Sequence, residues 1–326
     1  MPVAVVEAGT VIADRWTVVD RIDGGAMSDI YRARDAASGD LAAVKVLQRR
    51  YLPREDAVQR FLREARVTEG LVHPRIVTVR GHGLHDALPF LAMELLRGEP
   101  LEARMARAPL SQAEMVSVGR QVAEALDAAH AAGVVHRDVK PDNIFVLEGD
   151  GPITVKVLDF GFAKITDRFA EDGLRTASNA LLGSPLYMAP EQVRASRGVD
   201  ARADLWSLAV VLYELLTGSA PFGATGTTAL LVQVVSAPIP APSAKQPSLP
   251  AAVDAWCVRA LARDPAARFP TAGAMVAALA EALGENTAAE VAPRRPSSPA
   301  ARWRLVVGLG VALTVVLALA LVFTLR

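Results

Sequence analysis

The chain has 326 residues, room for one large domain or about two of ordinary size. Its 35 Lys and Arg balance 35 Asp and Glu, and no compact basic run occurs, so the charge gives no reason to expect nucleic acid as a partner. A single cysteine, Cys257, excludes an intrachain disulfide and a paired-cysteine metal site. Its neighbours Val253, Trp256, Val258 and Leu261 read as a helix buried on one face, which makes the thiol a small core group. The N-terminal residues lack a basic stretch followed by an apolar core and do not read as a signal peptide.

Residues 1–15 read as an N-terminal extension. Residues 16–19 and 30–33 read as strands around the turn Asp23-Gly24-Gly25-Ala26-Met27-Ser28, and residues 41–47 as the next strand after Ser38-Gly39-Asp40. Such a turn is either an ordinary hairpin or a loop that lays backbone amides over phosphates. A helix follows over residues 54–71 and stops at His73-Pro74, because the residue before proline leaves the helical region. Strands are expected at 76–81 and 89–94. Ser111-Gln112-Ala113-Glu114 is a capping box. It opens a helix with Met115, Val118, Val122, Leu126 and Ala129 on one face, ended by Gly133.

That helix delivers the chain to His136-Arg137-Asp138-Val139-Lys140-Pro141-Asp142-Asn143. Asp138 can accept a proton, Lys140 can neutralise phosphate oxygens, and Asn143 can ligate a hard cation through its side-chain oxygen. Lysine is scarce in this chain, so Lys45 and Lys140 carry weight at motif positions. Sixteen residues beyond Asn143, after the apolar strand 155–158, comes Asp159-Phe160-Gly161. Together these residues read as a phosphoryl-transfer site, with one Asp for the acceptor hydroxyl and an Asn and a second Asp for metal. In this order and spacing they resemble the catalytic loop and metal motif of the protein kinase family, specifically the membrane-anchored branch of the bacterial eukaryotic-like Ser/Thr kinases.

The resemblance covers residues 16–283 and implies an α+β fold of two lobes, a small β-rich one and a larger helical one. It implies ATP as phosphoryl donor with Mg²⁺ (or Mn²⁺), held through Asn143 and Asp159. Ala42-Ala43-Val44-Lys45 is similar to the family's strand lysine motif, which contacts the nucleotide phosphates and is held by a helix glutamate. Glu64 is the best placed of Glu55, Glu64 and Glu69, its other use being an i,i+4 salt bridge with Arg60. The nucleotide contacts implied are Ile22, Gly25, Ile30, Ala43, Met93, Glu94 and Leu96, the last three in the segment joining the lobes. The family's glycine pattern would fall at 23, 25 and 28; only Gly25 is present. Asp23 either faces the phosphates, where its charge opposes them, or points to solvent.

Residues 162–188 form a long, weakly patterned segment, and loops of this length inside a compact domain are usually functional. By resemblance it is the activation segment, closed by Ala189-Pro190-Glu191, with Thr176 and Ser178 as autophosphorylation sites and Arg137 able to pair with the phosphorylated loop. Ser184 stands where Ser/Thr kinases keep a hydroxyl near the catalytic loop. Asp204 opens an apolar helix running to Gly218 and matches the buried aspartate beneath that loop; a first-turn acid is its plainer role. Helices are expected near 226–236, 251–262 and 271–283. Arg268 matches the arginine that pairs with Glu191 structurally.

Residues 284–304 read as a flexible linker, and 305–325 as 21 uncharged residues. At about 1.5 Å per residue these span roughly 30 Å, enough for a bilayer core. Arg294, Arg295, Arg302 and Arg304 precede the span and Arg326 alone follows it, which puts the kinase side in the cytosol at the cell membrane. Gly308 and Ala312 form a small-xxx-small pair that favours a homodimer. A chain ending here would carry no outer sensor domain, so its input is expected from the cytoplasm or laterally. The expected activity is phosphorylation of Ser and Thr on protein substrates. The rivals are a pseudokinase scaffold, which Asp23 alone favours, and a small-molecule kinase, which would not need Ser184 and Ala189-Pro190-Glu191.

Overall fold

Strand parity sets the working face of the first lobe. The computed structural model describes residues 6–25, 27–160, 185–194, 196 and 198–285. Six antiparallel strands, β1 (Val11–Ile12), β2 (Trp16–Gly24), β3 (Ser28–Asp35), β4 (Leu41–Leu47), β5 (Val79–His85) and β6 (Leu88–Glu94), lie in the order β1-β2-β3-β4-β6-β5. Successive side chains on a strand point to opposite faces. On β4, Ala42, Val44 and Val46 join Trp16, Val18, Tyr31 and Phe90 in one apolar cluster, while Leu47 packs under helix α1 (Glu55–Glu69) with Phe61 and Ala65. Ala43 and Lys45 share that second face, so the strand that builds the core also aims a lysine out of it.

The lobe starts earlier than residue 16. Val11 and Ile12 pair with Thr17 and Trp16, and Ile12 is buried. The stretch expected to be an extension is therefore partly a strand, because the apolar Val-Ile pair covers the end of β2. The strand expected at 76–81 is also displaced: β5 begins at Val79.

Residues 75–78 instead cross to the second lobe. Ile76 bridges Val157 in parallel, the Val157 N–H donates to the Arg75 carbonyl at 2.7 Å, and the Val77 N–H donates to the Val157 carbonyl at 3.1 Å. That lobe holds a small antiparallel sheet of β7 (Gly98–Pro100), β8 (Ile144–Leu147) and β9 (Val155–Val157). Its helices among the described residues are α2 (Leu101–Arg107), α3 (Gln112–Ala131), α4 (Pro190–Val193), α5 (Arg202–Thr217), α6 (Thr227–Ser236), α7 (Pro242–Lys245), α8 (Ala251–Ala260) and α9 (Ala272–Ala282). None of them is long and apolar enough to cross a membrane.

Helix α3 begins with its capping box formed: Ser111 Oγ accepts the Glu114 N–H, and Glu114 accepts the Ser111 N–H at 2.7 Å. It ends before Gly133, whose φ of +75° suits a residue without Cβ. Helix α5 is buried on every side from Ala203 to Tyr213, the signature of a central core helix. Each large apolar side chain it buries contributes on the order of 1.5–3 kcal/mol. Cys257 on α8 is wholly buried, and that burial pushes its thiol up to about 12.

Candidate active site

Lys45 is 5% exposed on β4, between Ile30 on β3 and Leu91 on β6. Its ammonium lies 2.8 Å from both carboxylate oxygens of Asp159, 114 residues away. Such charge-assisted, two-oxygen contacts are among the stronger polar interactions. The sequence points to Glu64 as a partner of this lysine and does not announce the Asp159 contact. Glu64 is buried on α1, and one turn later Thr68 Oγ1 donates to the Phe160 carbonyl at 3.2 Å. This edge of α1 therefore lies against the chain that carries Asp159.

The loop 136–143 is built on Asp204, which is 0% exposed in the first turn of α5. One carboxylate oxygen accepts the Arg137 N–H at 2.6 Å; the other accepts the His136 N–H at 2.8 Å and meets His130 Nε2 at 2.7 Å. A buried carboxylate needs such partners to offset desolvation. His136 ties the loop to β9. Its Nδ1 accepts the Asp138 N–H at 3.2 Å, which leaves Nε2 as the donor to the Leu158 carbonyl at 2.8 Å. Its ring also packs on Phe160.

Asp138, Lys140 and Asn143 converge. Asn143 Nδ2 donates to the Asp138 carbonyl at 2.8 Å and to its carboxylate at 3.0 Å, and Lys140 Nζ lies 3.1 Å from the same carboxylate oxygen. Ile144 pairs with Val157, and the Leu158 N–H donates to the Asn143 carbonyl, so Asn143 and Asp159 leave the β8–β9 hairpin at one end. With its NH₂ committed to Asp138, Asn143 keeps its carboxamide oxygen as a metal ligand, and Asp159 adds carboxylate oxygens. These hard oxygens fit Mg²⁺ or Mn²⁺. Among the described residues no group of three or more His, Cys, Asp or Glu side chains forms a self-sufficient metal site. A two-residue contribution of this kind suits a metal held jointly with phosphates.

Beside this end, through Leu158, lies an apolar cluster. Ala43, Val77 and Met93 are buried together, with the half-buried Ile30, Leu95, Leu96 and Leu158 against them. Four residues assigned to nucleotide binding from sequence, Ile30, Ala43, Met93 and Leu96, are thus in one cluster. Val77 and Leu158 join them without having been expected; Leu158 could have been found from its place next to Asp159. Ile22 is not in the cluster: it sits at a register shift in β2 and is 45% exposed. Glu94 turns its carboxylate to Lys156 Nζ at 2.5 Å and the Thr78 N–H at 2.7 Å. Burial pushes this carboxyl up, but the two bonds outweigh it and hold it below the usual range.

In the turn, the Gly25 N–H donates to the Ser28 carbonyl at 2.9 Å, and Gln48 donates to the Gly25 carbonyl. Asp23 is exposed, and its carboxylate accepts the Gly24 N–H at 2.7 Å. At the far rim, Glu191 on α4 and Arg268 form a buried two-bond pair at 2.7 and 2.8 Å. Gln192 beside it donates to the Arg137 carbonyl at 2.9 Å, a contact sequence reading missed. The Arg137 guanidinium reaches the Val199 carbonyl at 3.3 Å. Glu102 on α2 is held above its usual range by its hydrogen bond with Asp142. Tyr187 donates to Glu214 at 2.6 Å, and burial, then that bond, raise its hydroxyl. Thr176, Ser178 and Ser184 lie outside the described residues, as do residues 286–304 of the linker and the stretch 305–325.

A β-rich lobe presenting a buried lysine to the aspartate of a helical lobe, with an Asp-Lys-Asn loop beside it, defines a protein kinase catalytic domain. Residues 16–277 match the protein kinase domain family, and the chain belongs to that family. It is 41% identical over 283 residues to the serine/threonine-protein kinase Pkn1 of Myxococcus xanthus, covering 86% of this chain and 40% of that protein. The chain is thus well short of that relative's full length. It is 38% identical to the serine/threonine-protein kinase PknL of Mycobacterium tuberculosis, covering 87% of this chain and 71% of PknL. Among solved structures, the kinase domain of Mycobacterium tuberculosis PknI superposes with a TM-score of 0.69 at 31% identity, covering 86% of this chain and all of that one.

Proposed function

We propose that this chain transfers the γ-phosphoryl group of ATP to Ser and Thr hydroxyls of proteins, itself included. The convergence of Lys45, Asp138, Lys140, Asn143 and Asp159 beside an apolar cluster carries this reading. The side chains of that cluster offer an apolar surface for a flat base beside the backbone of Glu94 and Leu96. Lys45 exchanges its Asp159 contact for phosphate oxygens, with Glu64 on the adjoining helix edge. The Asp138 carboxylate takes the proton of the acceptor hydroxyl as that oxygen bonds to phosphorus and the bond to the leaving diphosphate breaks. Lys140, beside it, balances charge on the transferring group. Mg²⁺, held by Asn143 and Asp159, supplies charge neutralisation on the phosphates. Most of the rate then comes from positioning and electrostatics.

Arg137 is the proposed reader of a phosphorylated Thr176 or Ser178, and residues 305–325 the proposed membrane tether, with the kinase domain on the cytosolic side. The uncharged length and the arginine asymmetry support that tether. The test is phosphate transfer from Mg·ATP by the full chain to itself and to a generic protein substrate, beside Asp138→Asn and Lys45→Ala. Transfer by the parent alone is expected. No transfer by the parent overturns the reading.

A further inference from the structure

Asp138 can take a proton only if its carboxylate points at the incoming hydroxyl, and its backbone does not guarantee that. Arg137 before it has a left-handed φ of +68°. A side chain with a Cβ is strained there and persists only where the surroundings hold it. The orientation of the Arg137–Asp138 peptide plane follows from that strained torsion and sets where the Asp138 side chain leaves the chain. Both polar groups of this one plane are held. Its N–H, from Asp138, donates to His136 Nδ1 at 3.2 Å, and its carbonyl, from Arg137, accepts Gln192 Nε2 at 2.9 Å. The Gln192 side chain is itself fixed, because its Oε1 accepts the Ala189 N–H at 3.0 Å. The two bonds define the amide's orientation, with oxygen toward Ala189 and nitrogen toward Arg137.

We propose that Gln192 is a positioning residue for phosphoryl transfer: its amide grips the Arg137 carbonyl, holds the Arg137–Asp138 peptide plane and so aims the Asp138 carboxylate. Asp204 secures the preceding N–H of Arg137, but it does not touch this plane. The grip spans 55 residues of sequence and joins α4 to the loop. The inference rests on the reading of Asp138 as proton acceptor.

The test uses the full chain with Gln192→Glu and Gln192→Leu. Glutamate keeps an oxygen for the Ala189 N–H but puts a second oxygen against the Arg137 carbonyl, so the cap survives while the grip is lost. Leucine loses both. For Gln192→Glu, kcat is expected to fall about 10- to 100-fold, the scale of a misaimed catalytic group. KM for ATP and the melting temperature should stay near the parent values. NMR-detected exchange of the Asp138 amide, which needs no turnover, should accelerate in both variants. Unchanged kcat and unchanged Asp138 exchange in both variants overturn the proposal. So does a Gln192→Glu variant whose kcat and melting temperature fall while its KM for ATP rises, the mark of a merely structural role. A parent without phosphate transfer defeats the functional reading, and the exchange measurement then still decides whether the grip exists.

Discussion

Asp23 closes on its own backbone, and that contact has a cost for an anionic ligand. Its carboxylate occupies the Gly24 N–H at 2.7 Å and adds a negative charge to a turn proposed to lie over phosphates. Asp23→Gly frees one amide donor and removes the charge. A change of about 1 kcal/mol follows, so KM for ATP should drop roughly five-fold with kcat little altered. Steady-state kinetics at two salt concentrations check this; an unchanged KM would show that the turn stays clear of the nucleotide. At this scale the motif residues were legible because their chemistry and spacing are both local: Asp138, Lys140 and Asn143 lie within six positions. Gln192, Lys156 and His130 were not, because each matters through a partner 55, 62 or 74 residues away. Nothing in the neighbourhood of a glutamine or a strand lysine announces such a contact. The Lys45–Asp159 bond escaped for the same reason, although both residues had been singled out.

Among elements, β4 was readable from the turn signal before it and α3 from its capping box and apolar face, whose residues Val118, Val122, Leu126 and Ala129 are buried in the core. Residues 76–78, expected at the start of a strand over 76–81, lie before β5. Their apolar side chains fit either lobe, and only the pairing with β9 decides between them. Glu94, at the end of β6, reinforces that crossing by bonding both Thr78 and Lys156 on β9. Lys156→Met leaves the Glu94 carboxylate half-desolvated with one partner, costing roughly 1–3 kcal/mol. Its effect should fall on nucleotide affinity more than on kcat, since Glu94 begins the segment against which the base is proposed to lie. Adding Glu94→Gln removes the stranded charge, so the double variant should bind ATP more tightly than Lys156→Met alone. Binding titrations of the four proteins test this coupling, and strict additivity would remove it. The sign of the pH effect follows from the depressed Glu94 carboxyl. The tie contributes fully above the ordinary value of 4.5 and is lost as pH falls through the lower folded value.

For the whole molecule, the compact unit running to Glu285 contains every residue proposed for catalysis, and the remainder is compositionally separate. Deleting residues 305–326 is therefore expected to release the protein from membranes in carbonate-washed fractions while leaving its specific activity within about two-fold, since a linker of this composition transmits little strain. A deletion variant that stays with the membrane would exclude the span as the tether. Within the compact unit, the lobes are joined by the chain around 95–98, by the bridge from Ile76 to Val157, and by the Glu94–Lys156, Thr68–Phe160 and Lys45–Asp159 contacts. The first three meet through Thr78 and Glu94, so they form one continuous edge. A motion that leaves this edge intact and parts Lys45 from Asp159 is a swing about the edge, and its reversal returns the lysine to the same aspartate.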